Sequence, residues 1–184
     1  MALSRMMLKR HAEKPLKGGD FGGRGRADER SLTTRGGARA RAMARLCDPL
    51  DDQALRDGLS RPDAILAARH DPGGREPSRH FVQTVKPLAR LMGLEIDKRF
   101  AKGEESAFLA RLLERTGVAL VCWAHESIPA LVSRLPGAPQ TPRMWPDDRF
   151  DMIWVFDRLN AGGLSFTQVP QLLAPGDRRD VITL

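Results

Sequence analysis

Val118-Ala119-Leu120-Val121-Cys122-Trp123 sets six apolar side chains in a row, and it constrains the fold more than any other stretch of the chain. Successive side chains of a strand point to opposite faces, so a run apolar at every position fits where both faces are covered. Sheets covered on both faces are built from parallel strands joined by helical crossovers. Gly117 precedes the run and the polar Ala124-His125-Glu126-Ser127 follows it, which marks a central strand.

The rest of the chain alternates strand and helix signals. Ser4–Leu8 predicts a first strand with a polar tip at Lys9-Arg10-His11. Thr33 or Thr34 can cap a helix running through Ala38, Ala42 and Leu46, closed by Pro49 and Asp51-Asp52. Pro62–Ala68 predicts a second strand, followed by a loop in which Pro72-Gly73-Gly74 enforces a turn. Ser78 can cap a helix carrying Phe81, Val85, Leu88, Leu91 and Met92; Pro87 marks a kink or a second start, and Gly93 a stop. Leu94–Ile96 predicts a short strand, Glu104–Arg115 an amphipathic helix ended by Gly117, and Ser127 the cap of a helix over Ile128–Leu135. Phe150–Phe156 and Leu164–Val169 flank Asn160-Ala161-Gly162-Gly163 and read as a hairpin. The expectation is one three-layer α/β/α domain over residues 1–184, with a mostly parallel central sheet and a C-terminal β-hairpin.

Charge narrows the partners. Residues 1–46 hold 12 Lys and Arg against 4 Asp and Glu, whereas the remainder holds 18 against 19. A basic segment of this kind suits nucleic acid, an anionic surface or a phosphorylated small molecule. Tyrosine is absent and aromatics make up 5%, so the stacking platforms of a nucleic-acid binder are scarce. Arg35, Arg39, Arg41 and Arg45 recur at helical spacing among alanines, and they read as a solvated helix face. The basic, glycine-rich stretch 17–31 lacks the Gly-Lys-Ser/Thr that would end a Walker A loop, so it reads as a loop or lid. Cys47 and Cys122 form neither a CxxC pair nor a metal-like cluster, which fits a reducing cytoplasm. No apolar run approaches the ~18 residues of a membrane span. Arg5 and Lys9 interrupt the start before a signal peptide could form.

Functional groups of parallel sheets gather at the carboxyl ends of the strands. Three such ends carry unusual residues here: Arg10-His11 after the first strand, Arg69, Arg75, Arg79 and His80 after the second, and His125-Glu126 after the central one. Histidine attacks phosphorus as a neutral imidazole, and arginine presents forked donors to phosphoryl oxygens. The set therefore describes a phosphoryl pocket, although a histidine after a strand, taken singly, is more often a hydrogen-bonded structural residue. Lys14 is a rim contact or a solvated lysine. His125-Glu126-Ser127-Ile128-Pro129 lacks the last histidine of HExxH, so the zinc-protease motif is absent. Met6, Met7, Trp123, Trp145 and Trp154 read as core or pocket wall, Cys122 as a buried small hydrophobe, and His70 as an exposed loop residue.

Four blocks then arrive in an order that carries a resemblance. Leu8-Lys9-Arg10-His11-Ala12-Glu13, Leu32-Thr33-Thr34-Arg35-Gly36, Arg79-His80-Phe81-Val82-Gln83-Thr84 and Val118–Ile128 resemble the Arg-His-Gly/Ala, L-T-x-R-G, R-x-x-Q-T and second-histidine motifs of the histidine phosphatase superfamily. This is the phosphoglycerate-mutase-like group, and the likeness, to a small bacterial-type member, extends from Leu8 to about Val169. The resemblance implies a cytoplasmic, metal-independent phosphohydrolase with no cofactor, acting on a phosphorylated small molecule or phosphoprotein. It makes His11 the nucleophile, Arg10 the first phosphate clamp and His125 the second pocket histidine. The family's second arginine falls at His80, with Arg79 one residue away as the alternative. For the leaving-group acid, Glu126 is favoured over Glu104, Glu105 and Asp97. The rival readings are a non-catalytic binder of phosphorylated ligands and a basic RNA-binding module.

Overall fold

A computed structural model describes residues 3–15, 30–50, 53–69 and 79–184. Its elements run β1 (Leu3–Arg10), α1 (Thr34–Cys47), β2 (Ala64–Ala67), α2 (His80–Met92), β3 (Ile96–Asp97), α3 (Glu105–Leu113), β4 (Gly117–Trp123), α4 (Ile128–Val132), β5 (Met152–Arg158) and β6 (Leu164–Pro170). The strands form a six-stranded sheet in the order β3-β2-β4-β1-β5-β6. β3, β2, β4 and β1 are parallel, and β5 and β6 close the sheet as an antiparallel hairpin. This is the expected α/β architecture.

β4 sits between β1 and β2, the place its apolar run demands, and Ala119 through Trp123 have no exposed surface. Each large side chain buried this way contributes about 1.5–3 kcal/mol. Cys122 and Lys9, register partners on β4 and β1, face the helix pair α1 and α2: Lys9 Nζ reaches Met43 of α1, and the Cys122 thiol meets Thr84 of α2. Trp123, one residue on, points the other way and stacks on Phe108 of α3 at 4.3 Å. Helices therefore cover both faces, α1 and α2 on one and α3 with α4 on the other.

Thr33 caps α1, its hydroxyl accepting from Gly36 N at 3.0 Å. Gly36 itself answers a steric demand, since a Cβ there would lie 2.2 Å from the carbonyl oxygen of Glu13. Only glycine lets the start of α1 press against the segment that follows β1. Gly93 ends α2 in the left-handed conformation at φ 66°.

Several expectations are corrected. The polar tip of β1 is buried: Lys9, Arg10 and His11 are 0, 2 and 3% exposed. Arg39 is likewise buried, because Glu13 and Asp177 neutralise it, while Arg35, Arg41 and Arg45 are exposed as expected. Arg79 stands at the N-cap of α2 without a side-chain capping bond, and Pro87 lies inside one continuous helix with no second start. α3 stops at Leu113, and Gly117 opens β4 with φ at 71° rather than ending the helix. α4 is shorter than expected, since past Val132 the chain turns by i→i+3 bonds as far as Leu135. Ser127 makes no capping bond there; its hydroxyl serves Glu105 instead. The short third strand is Ile96–Asp97, displaced toward the C-terminus from Leu94–Ile96. The turn at Pro72-Gly73-Gly74, Ser78, Asp51-Asp52, His70, Arg75 and most of the glycine-rich stretch lie outside the described residues.

Met6, Met7, Trp123, Trp145 and Trp154 are all core. Both cysteines are free thiols and buried. Among the described residues, no helix is long and apolar enough to cross a membrane.

Candidate active site

The site assembles where β1 and β4 end side by side, with Arg10 opposite Trp123 in register. His11 follows β1 directly and is 3% exposed. Its Nδ1 lies 2.6 Å from the carbonyl oxygen of Ala12. A carbonyl can only accept, so Nδ1 carries the proton and Nε2 keeps its lone pair. Burial, with Arg10 and His80 adding to it and the Ala12 bond opposing it, pushes the His11 pKa down to about 2. The ring is neutral at every ordinary pH, the form required of a nitrogen nucleophile.

His80 and His125 flank it. Their ring centroids lie 5.4 and 6.2 Å from that of His11. Phe81, edge-on, and Phe150, tilted, complete the wall at 5.5 and 6.0 Å. Arg10 lays its guanidinium over the Phe150 ring, 4.0 Å from the centroid. Burial pulls the Arg10 pKa down to about 10, with Asp147 and Glu126 opposing the shift, so the group remains a cation at neutral pH. Its Nη1 donates to the carbonyls of Pro146 and Asp147 at 3.0 and 2.6 Å. Its Nε is buried without an acceptor among the described residues. A buried orphan donor is costly and points to a ligand oxygen.

The remaining motif residues position these groups. Thr84 of α2 accepts from Ala12 N at 2.8 Å and donates to His80 O at 2.7 Å, so one hydroxyl ties the loop after β1 to the start of the helix. Gln83 accepts from Leu32 N and donates to Ser31 Oγ, joining α2 to the approach to α1. His80 Nε2 sits 3.1 Å from Ser31 O. Sequence reasoning took Gln83 and Thr84 as motif letters, and the geometry gives them the work of holding two loops.

Of the two residues proposed for the second clamp, His80 is inside the pocket and 3% exposed, whereas Arg79 is exposed at the helix start. Glu126 stands beside His125, its Oε2 3.0 Å from Nδ1, and its Oε1 pairs with Lys102 at 2.5 Å. The His125 bond, opposed by burial and reinforced by Lys102, holds the Glu126 carboxyl far below the usual range. It is therefore a carboxylate at neutral pH, suited to orienting His125. Glu105 lies behind the pocket wall, accepting from Trp123 Nε1 at 3.1 Å, and Glu104 accepts from Ala101 N at 2.6 Å. Asp97 is on the edge strand β3, tied to Arg99 and Arg115. Lys14 is exposed.

Sequence reasoning missed Asp147 and Phe150. Asp147 Oδ1 is 2.6 Å from His125 Nε2. The signal was slight: Trp145-Pro146-Asp147-Asp148 has turn composition but no spacing to either histidine. Glu13 and Phe150 also border an open cleft with Arg35, Asp148, Asp177 and Arg178. Among the described residues, no group of three His, Cys, Asp or Glu side chains is placed to hold a metal. Compared with known proteins, the chain matches no family model and no curated sequence.

Proposed function

We propose that the chain is a phosphohydrolase, acting on a phosphomonoester or a phosphorylated protein side chain through a phosphohistidine at His11. The observation that carries this reading is the His11 ring: neutral, its Nδ1 proton committed to Ala12, with Arg10, His80 and His125 around it. In the first step the Nε2 lone pair attacks phosphorus. A P–N bond forms as the P–O bond to the leaving group breaks, and the leaving oxygen takes a proton from His125 or water. In the second step water attacks phosphorus and gives a proton back to the group that protonated the leaving oxygen, the P–N bond breaks, and inorganic phosphate departs from a regenerated neutral His11.

Charge on the equatorial oxygens is the main demand of phosphoryl transfer, and positioned donors meet it. Arg10 supplies a cation and an Nε–H without an acceptor among the described residues, and His125 supplies a ring N–H; His80, whose Nε2 faces the Ser31 carbonyl, supplies a further N–H at Nδ1 in its doubly protonated form. The reading therefore assigns no metal and no cofactor. The cleft beside Phe150 gives room for the body of a substrate, and two buried thiols suit a reducing cytoplasm.

The test is turnover of a panel of phosphorylated metabolites and phosphopeptides, with and without chelator, followed by acid quenching. Acid-labile, alkali-stable phosphate on the chain during chelator-insensitive turnover is expected. Turnover that leaves no phosphate on the protein ends the covalent reading, and phosphate retention without turnover makes the chain a binder. The same assay separates the two clamps. His80→Ala should lower kcat/KM by about 100-fold, as removal of one charge-stabilising donor does. Arg79→Ala should cost less than about fivefold, a rim effect. The reverse ranking would give the clamp to Arg79.

A further inference from the structure

The two donors best placed to receive a phosphoryl group already hold oxygens of the chain itself. Arg10 Nη1 donates to the carbonyls of Pro146 and Asp147, and His125 Nε2 is 2.6 Å from the Asp147 carboxylate. Three oxygens of one short turn thus converge on an arginine and a histidine, as the oxygens of a bound phosphate would. The turn is anchored at both ends. Trp145 is buried against Trp154 and donates to Arg149 O at 2.7 Å. Arg149 is 2% exposed and fixed by Asp151 and Asp180. Between these anchors the tip closes with a single bond from Arg149 N to Pro146 O, and the Asp147 side chain is almost fully exposed beyond its contact with His125. The side chain can rotate away while the anchors stay in place.

We propose that the Asp147 carboxylate is an internal anion held on His125 Nε2, beside an Arg10 whose Nη1 its turn already engages through backbone carbonyls, so that a substrate phosphoryl group reaches His125 only by displacing that carboxylate. The inference rests on the phosphoryl-pocket reading above and adds a gate to it. Displacement frees His125 Nε2 for the incoming group, and Arg10 Nε, which has no acceptor among the described residues, gives that group a donor the carboxylate does not use. The gate discriminates against weakly held anions: a ligand must outcompete a carboxylate already in hydrogen-bonding position. Inorganic phosphate, the product, is then released readily.

Calorimetric titration of the full chain with inorganic phosphate tests this without relying on turnover. Asp147→Asn and Asp147→Ala should bind phosphate about tenfold tighter than wild type, the loss of one competing charge-assisted bond. Asp148→Asn removes the same charge one residue away, from a carboxylate paired with Arg178, and should stay within about twofold of wild type. Unchanged or weaker binding in the Asp147 variants overturns the gate, as does an equal gain in Asp148→Asn. His125→Ala in the Asp147→Ala background separates this failure from that of the underlying reading. Loss of phosphate binding there upholds the pocket, whereas undiminished binding overturns pocket and gate together.

Discussion

His11→Ala is expected to lower phosphoester turnover by about four orders of magnitude or more, the cost of deleting a nucleophile that acts as a unit with its neighbours. Because Nδ1 is committed to Ala12 O, attack can come only from Nε2, and alanine removes that lone pair without leaving a charge behind. The truncation opens a cavity against Phe81 and Phe150, at a stability cost of about 2–4 kcal/mol, which a domain of this size tolerates. His11→Asn keeps a donor for Ala12 O and fills more of the space, so it guards against a folding defect. Both variants should keep the wild-type circular dichroism and lose trapped phosphate together with turnover. Retention of a tenth of the wild-type rate in a folded His11→Ala protein would remove His11 from the reaction.

How much of this was legible beforehand varied with the physics behind each feature. β4 announced its central position because six apolar residues in a strand admit no solvent-facing alternative. The element order followed from it, since parallel neighbours require crossovers and helix signals stood where crossovers were needed. Arg10, His11, His80 and His125 converge because strand ends converge, and that is a property of the sheet rather than of the local sequence. Burial of charge was not legible. Arg39 looked like its exposed neighbours Arg35, Arg41 and Arg45, because a helical wheel does not show that Glu13 and Asp177 will arrive from distant segments. Lys9 misled in the same way. Its position on β1 points it under α1, where its partners are the Met43 sulfur at 3.1 Å and Gln171 Oε1 at 3.4 Å. Burial drags its pKa down to about 8, an energetic cost that no local pattern encodes. Asp147 was invisible because its meaning lies in a contact 22 residues away from its partner.

Arg39 carries the largest structural prediction. Its guanidinium binds Glu13 through Nε and Nη2 at 2.8–3.0 Å, and Asp177 through Nη1 and Nη2 at 2.7–2.8 Å. Asp177 in turn accepts from Leu173 N and Ala174 N, and the Glu13 carbonyl accepts from Thr33 N. One side chain thus joins α1, the loop after β1 and the C-terminal segment. Removing one partner from a buried ion network costs about 3–5 kcal/mol, since the groups left behind remain desolvated. Arg39→Ala should lose that much at pH 7, with a fall in Tm of roughly 10 °C for a chain of this length. The pH dependence identifies the cause. In wild type, burial raises the Glu13 and Asp177 pKa values, but bonds to Arg39 outweigh it and the net shift is downward. The unfolded chain therefore binds protons first on acidification, and the network's stabilisation is full above about pH 5 and lost as pH falls through the folded-state values. Without Arg39 the upward push of burial is opposed by the Arg35 bond to Glu13 and the Leu173 and Ala174 N–H bonds to Asp177, and the two carboxylates repel. Protonation then favours the folded state, so the variant should regain stability between pH 7 and 5 while wild type does not. Urea denaturation of both proteins at the two pH values measures the difference. A deficit that stays constant across that range would assign the loss to packing of the arginine stem rather than to its charge.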